Sequence, residues 1–184
     1  MKNEIEKWIK KDIVSQIVDK EIKKRIKKYP ILLAKTKKEV MQFKDVKDLC
    51  IYADLDPKDT LKIKTEFKPV LILAGETNCV SEYSGLNCIL YNQSWIHGVV
   101  NHCEFHEESM GYIVYGKQVT MIEESNVHIV FIENLHMQDN SICYVCNMAP
   151  STSYAKYANK EKAEKFKGVV TLVEKGDKNS IENS

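Results

Sequence analysis

An eight-residue rhythm runs through the middle of this chain and leaves few folds open to it. Cut into eights from Leu61, residues 61–148 read LKIKTEFK, PVLILAGE, TNCVSEYS, GLNCILYN, QSWIHGVV, NHCEFHEE, SMGYIVYG, KQVTMIEE, SNVHIVFI, ENLHMQDN and SICYVCNM. Small or apolar side chains dominate the third position, from Ile63, Leu71 and Cys79 through Trp95, Cys103 and Gly111 to Val119, Val127, Leu135 and Cys143. The fifth position behaves alike, with Leu73, Ile89, His97, Phe105, Ile113, Met121, Ile129, Met137 and Val145. Two inward residues separated by one outward residue is the period-two alternation of a β-strand. A strand of about five residues and a corner of about three together fill one block.

A second period is laid over the first. Position seven holds Phe67, Tyr83, Val99, Tyr115 and Phe131 in odd blocks, but Gly75, Tyr91, Glu107, Glu123 and Asp139 in even ones. A coil of sixteen residues with two unlike faces accounts for that alternation. The pattern therefore predicts a mainly β fold, a single β-solenoid of two octads per coil. The competing antiparallel meander needs hairpin turn pairs such as Asn-Gly or Asp-Gly, and these are missing from the repeat. The sixteen-residue coil also predicts that Trp95 and Gly111 are neighbours in adjacent coils.

A single coil cannot bury its own apolar face and becomes stable only when stacked, and the end coils expose strand edges, so caps are expected. Residues 3–28 place Ile5, Trp8, Ile9, Ile13, Ile17, Ile22 and Ile26 on one helical stripe ending before Pro30, which predicts one amphipathic capping helix. Residues Val46 to Leu55 read as a strand entering the solenoid. Ser151 or Ser153 is placed to cap a C-terminal helix through Lys167, followed by a strand over Val169–Val173. The expected organisation is an N-terminal capping segment over 1–60, the solenoid over 61–148, a helix and strand cap over 149–175, and a disordered tail over 176–184.

The blocks SMGYIVYG, KQVTMIEE and SNVHIVFI resemble the short-period β-solenoid proteins of phage and prophage type. The resemblance covers residues 61–148 only. It implies the fold and a phage-like or mobile-element setting, and carries no activity or catalytic residues with it.

Charge divides the chain where the repeat does. Residues 1–60 carry 16 Lys and Arg against 11 Asp and Glu, whereas residues 61–148 carry 4 against 10. A basic arm and an acidic body attract each other within one molecule or face separate partners. No stretch approaches the ~20 apolar residues of a membrane span, and the six scattered cysteines read as free thiols, so a cytoplasmic location is expected.

Two outward surfaces are candidates for partner binding. Even-block corners bring Glu107, Glu108, Glu123, Glu124 and Asp139 into an acidic ridge, suited to cations or to a basic partner; the plain alternative is a solvated corner that tolerates Glu. The odd-block outward row holds Lys64, Val80, Ile96, Tyr112, His128 and Tyr144, too apolar to leave in water, and the N-terminal helix is the first choice to cover it. Among the histidines, His97 is expected inward, while His102, His106, His128 and His136 are dispersed, so no metal site or cofactor is expected. The pair Cys143 and Cys146 falls on opposite faces of a strand and reads as packing. Lysines of the basic helix alternate with Glu4, Glu6, Asp12, Asp19 and Glu21, which speaks against nucleic acid as the partner.

The expected function is a non-enzymatic interaction or scaffold module that offers the acidic ridge or apolar face to a macromolecule, most naturally another protein, with self-association as a variant. Two other readings compete. One is a β-helix enzyme of acyl transfer or carbohydrate chemistry using His102 or His106 near Glu104 and Glu107. The other is a nucleic-acid-associated protein acting through the basic helix.

Overall fold

The protein is a β-solenoid of about 7 turns with three helices at its N-terminus. The structure is a computed structural model and describes residues 2–148, 169–172 and 180–182. Strand alternation dictates the architecture: apolar residues at every second position face inward and pair coil to coil. One stack of parallel strands contains β1 (Ile31–Ala34), β2 (Cys50–Ala53), β4 (Val70–Leu73), β6 (Asn87–Leu90) and the second halves of β7 (Trp95–Phe105), β8 (Met110–Met121) and β9 (Asn126–Met137), ending on β11 (Val169–Leu172). The other stack runs from β3 (Leu61–Ile63) and β5 (Asn78–Ser81) through the first halves of β7, β8 and β9 to β10 (Ile142–Met148) and β12 (Ser180–Glu182). Between them lies one core that includes Leu71, Leu73, Cys79, Cys88, Phe105, Ile113, Val119, Val127, Leu135 and Cys143.

The solenoid is longer than the sequence rhythm indicates. It begins at Ile31, thirty residues before the regular octads, because early coils carry longer corners: Ile31 pairs with Cys50, and Cys50 with Val70. The C-terminal helix expected up to Lys167 lies outside the described residues. The expected strand at 169 is present as Val169–Leu172, and three residues of the supposed tail, Ser180–Glu182, pair with β10.

Regular coils are sixteen residues long, as in Gly111 on Val127 and Val119 on Leu135. One pair of coils departs from this by a single residue in each direction. Leu71 sits on Cys88, and Cys79 on Ile96, but Cys88 then sits on Cys103 and Ile96 on Gly111. Trp95 therefore pairs with Met110 and not with Gly111, and Ile96 points inward, fully buried, while His97 points outward. The corner after Ser81 holds one residue more than its regular counterparts, and the corner after Gly98 one fewer. Gly98 permits the tight corner: its φ is +127°, and a Cβ there would stand 1.8 Å from the backbone oxygen of Ser81. Gly111 does lie beneath a large side chain, but that side chain is Phe105, whose ring would be 2.7 Å from an added Cβ.

The opposite corner is built differently. Gly75, Asn92, Glu107, Glu123 and Asp139 all have φ between 55° and 64° and stack in one column. Each corner's backbone N–H points along the column and meets a side-chain oxygen from the next coil: Gly75 N–H donates to Asn92 Oδ1 (3.2 Å), Asn92 N–H to Glu107 Oε2 (2.5 Å), Glu107 N–H to Glu123 Oε2 (2.6 Å) and Glu123 N–H to Asp139 Oδ2 (3.3 Å). Inside the corner a second column, Thr77, Ser94, Ser109, Ser125 and Ser141, is buried.

The N-terminal segment forms two helices where one was expected, α1 (Lys2–Gln16) and α2 (Lys20–Lys28). Asp19 causes the break, since its carboxylate accepts the N–H groups of Glu21 and Ile22 (both 2.9 Å) and caps a new helix. Ile13, Ile17, Ile22 and Ile26 are nearly fully buried against Cys50, Val70, Ile72, Ile89 and Tyr91. Each such isoleucine contributes on the order of 1.5–3 kcal/mol. These helices thus cover the outward face of the β2–β4–β6 stack, not the odd-block row. The apolar demand explains the choice, because Val70, Ile72 and Ile89 offer an aliphatic surface while the odd-block row carries rings with polar edges. A short third helix, α3 (Lys37–Gln42), starts with a Thr36–Glu39 capping box and packs Val40 into the solenoid core.

Gly98→Ala is expected to lower stability by about 2 kcal/mol or more, because the methyl group meets a backbone carbonyl and the residue must hold positive φ. Urea unfolding against wild type reads the effect.

Candidate functional site

The outward face of β5, β7, β8, β9 and β10 is left open by the helices. Its central column is a ladder of rings. His97 meets Tyr112 edge-on with centroids 5.3 Å apart, Tyr112 lies 6.0 Å from His128, and His128 lies 4.8 Å from Tyr144. Trp95 flanks His97 at 5.7 Å. Around them Met110 is 46% exposed, Tyr112 40%, Val114 38% and Phe131 48%. The expected column of Tyr112, His128 and Tyr144 is thus brought together, with His97 in the place assigned to Ile96. The one-residue slip accounts for the exchange, and the buried Ile96 is withdrawn from any surface.

The acidic residues are also brought together, but much of their hydrogen-bonding capacity is already used. Glu107 and Glu123 each accept the backbone N–H of the preceding corner, and Asp139 accepts that of Glu123. Glu107 also accepts from the Asn92 side chain (2.6 Å), and Glu108 from Gln93 Nε2 (3.0 Å). A carboxylate bound by N–H donors is a strong acceptor, which offsets the repulsion between like charges at strand spacing. Glu124 is exposed at the rim.

A third feature was not foreseen as a unit. Where α1 passes into α2, the chain crosses the outward face of β7, β8 and β9, and two carboxylates hold it there. Glu104, fully buried, accepts the N–H of Val18 (2.8 Å) through Oε1 and that of Asp19 (2.7 Å) through Oε2. His106 Nε2 lies 2.7 Å from the same Glu104 Oε1, and its ring stacks on Tyr91 at 4.7 Å. Asp19 Oδ2 receives His102 Nδ1 and Gln118 Nε2, both at 2.8 Å. Burial by itself raises the Asp19 carboxyl. The hydrogen bond from His102, those from the Ile22 and Glu21 backbones and the attraction of the imidazole outweigh it, so the group stays below its ordinary pKa of 3.8. Beside this network opens a cleft of about 410 Å³ lined by Asp19, Lys20, His102, Gln118, Thr120, Asn134 and His136 among others. Burial pushes the His136 imidazole below its usual pKa despite the charge of Glu104, so it is neutral at pH 7.

Sequence spacing placed His102 near a corner and His106 and His136 on different outward rows, none of them beside a helix junction, and His106 is instead buried. Only Asp19, an acid interrupting an isoleucine stripe, marks the junction in the sequence. Among the described residues, no three His, Cys, Asp or Glu side chains are grouped to hold a metal ion. Cys50, Cys79, Cys88, Cys103 and Cys143 are free and buried, and among the described residues no helix is long and apolar enough to cross a membrane. These features define a capped, two-faced β-solenoid protein. Comparison with known families, with curated proteins and with solved structures gives no match.

Because the Asp19 pKa is lowered in the fold, its contribution to stability is present above about pH 4 and is lost as pH falls through the lower folded value. Asp19→Asn is expected to cost on the order of 1–3 kcal/mol at pH 7, with the gap to wild type closing as pH falls through the lowered Asp19 value. Urea midpoints measured across pH 2–7 check this.

Proposed function

We propose that this chain is a non-enzymatic interaction module whose docking surface is the ring-lined face of β5, β7, β8, β9 and β10, with another protein as its partner. One observation carries the reading: the helical cap lies on the other face and leaves Tyr112, His128, Tyr144, Met110, Val114 and Phe131 together at the surface. Aromatic and Met side chains are the types that dominate binding energy at protein interfaces, and their surplus over charged groups is typical of an interface centre. A solenoid face is also rigid, so little conformational entropy is lost when it docks. Within this reading the acidic column serves mainly to hold the corners, and Glu108 and Glu124 form a charged rim.

A photo-cross-linking residue at position 112, in the full chain in cells of its native host, is expected to capture a discrete partner that the same residue at Lys24 does not. Tyr112→Ser combined with His128→Ser should weaken that partner's affinity by on the order of 10–100-fold, while charge reversal at Glu108 and Glu124 changes it little. Equal capture from both positions, or affinity indifferent to the two ring substitutions, contradicts the reading.

A second reading, a β-solenoid enzyme with His102 as general acid or base, is favoured by the Asp19–His102 hydrogen bond, which fixes the imidazole and leaves Nε2 toward the cleft. His106, the other residue of that reading, is buried beneath Tyr91 and held by Glu104.

A further inference from the structure

The ring ladder has an order that bears on which protein fits it. Along the solenoid, His97, Tyr112, His128 and Tyr144 are register partners on β7, β8, β9 and β10, so imidazole and phenol alternate. Such a row becomes its own complement when it is reversed. A two-fold axis that runs along the strands, between β8 and β9, turns a second copy to face the first and reverses the order of its coils. His97 then stands opposite Tyr144 of the second copy, and Tyr112 opposite His128, each pairing occurring twice. A two-fold axis along the solenoid instead puts His on His and Tyr on Tyr. The first arrangement suits the polar ring edges whatever proton the imidazole carries. A neutral imidazole has one donor and one acceptor, a protonated one has two donors, and a phenol O–H both gives and accepts. Two facing imidazoles repel once both are protonated.

The surroundings of the ladder accept the same operation. Trp95 and Ile142 stand in one register row on β7 and β10, so the indole of each copy comes over an aliphatic side chain of the other. Outward positions of these strands between Trp95 and Tyr144 hold no Asp, Glu, Lys or Arg beside the ladder, so charge does not oppose the pairing. Charges lie at the rims. Lys117 comes opposite Glu133 at one, and Glu108 opposite Glu124 at the other; one pair attracts, one repels, and both stay in water, where neither decides the fit. We infer that the ring-lined face pairs with the same face of a second copy of this chain, His97 on Tyr144 and Tyr112 on His128, with the two solenoids antiparallel. This rests on the reading of that face as a docking surface and makes the docking protein a second copy. Five strands with about five residues each give a footprint of roughly 19 Å by 17 Å, below the ~800 Å² per partner of a standard interface. The dimer is therefore weak, with Kd on the order of 10–100 μM.

Sedimentation velocity on the purified full chain, from about 1 to 500 μM, is expected to show a reversible monomer–dimer equilibrium. His97→Ser and Tyr112→Ser should each weaken it about tenfold or more, because each ring takes part in two contacts per dimer. Lys24→Glu, on the helical side, should leave it unchanged. Unfolding midpoints establish that the ring variants are folded; should His97→Ser shift its midpoint, the exposed Tyr112 decides alone. Within one copy His97 and Tyr144 are three strand spacings apart, roughly 14 Å, so a nuclear Overhauser effect between their rings reports the second copy. A chain that stays monomeric, a dimer indifferent to both substitutions, or a dimer without that His97–Tyr144 effect overturns the inference. If the chain is monomeric while position 112 captures a different protein in cells, the self-pairing falls and the docking face stands. If it is monomeric and position 112 captures nothing, both fall.

Discussion

Parallel stacking of each coil on the next is the constraint from which the remaining features follow. In such a stack every inward side chain must find a compatible neighbour one coil away, and every strand N–H and C=O must meet the adjacent coil. A one-residue error turns an entire strand inside out. The protein tolerates one extra residue after Ser81 only because a shortened corner at Gly98 restores the phase within the next turn. Corners face the same demand, since their backbone groups lie outside the strands. The column of Asn92, Glu107, Glu123 and Asp139 meets it with side-chain oxygens from the following coil.

That constraint also shapes where function can reside. Inward positions are committed to packing, and one outward face is committed to the helices, so the ring-lined face and the helix junction are left. The two differ in kind. The face is lined with aromatic side chains and Met110 and is the surface proposed above for docking. The junction is a small polar cleft in which Asp19 and Glu104 hold the start of α2, with His102, Gln118, Thr120 and Asn134 along its wall. Asp19, which starts α2 and also holds His102 and Gln118, ties the position of the helices to the wall of the cleft.

Much of the fold was legible because packing leaves a periodic trace. Third and fifth positions of the regular blocks, Gly111 and Ile113, Val119 and Met121, Val127 and Ile129, are all inward as the octads require. The slip was harder to see because alternation persists through it, so Trp95–Ile96–His97 fits either phase by pattern alone. A polar signal was available: Thr77, Ser94, Ser109, Ser125 and Ser141 are spaced by 17, 15, 16 and 16 residues, and that column records the slip directly. The earlier coils were hidden by their longer corners, and the helix break by isoleucines that keep helical spacing on both sides of Asp19. The junction cleft was illegible for a different reason. It joins Asp19 to His102 and Gln118, more than eighty residues away, and no local pattern encodes a contact at that distance.

The most direct test of the stacking is a set of inter-residue nuclear Overhauser effects on the isotope-labelled full chain. Contacts from the Phe105 ring and the Ile96 methyl groups to the Gly111 Hα protons, together with ring contacts from His97 to Tyr112 and from Tyr112 to His128, are the predicted result. Strong cross-strand Hα–Hα contacts of hairpin type within residues 95–137, or Trp95 in the place of Ile96 beside Gly111, would contradict the wound, phase-shifted coil on which both surfaces depend.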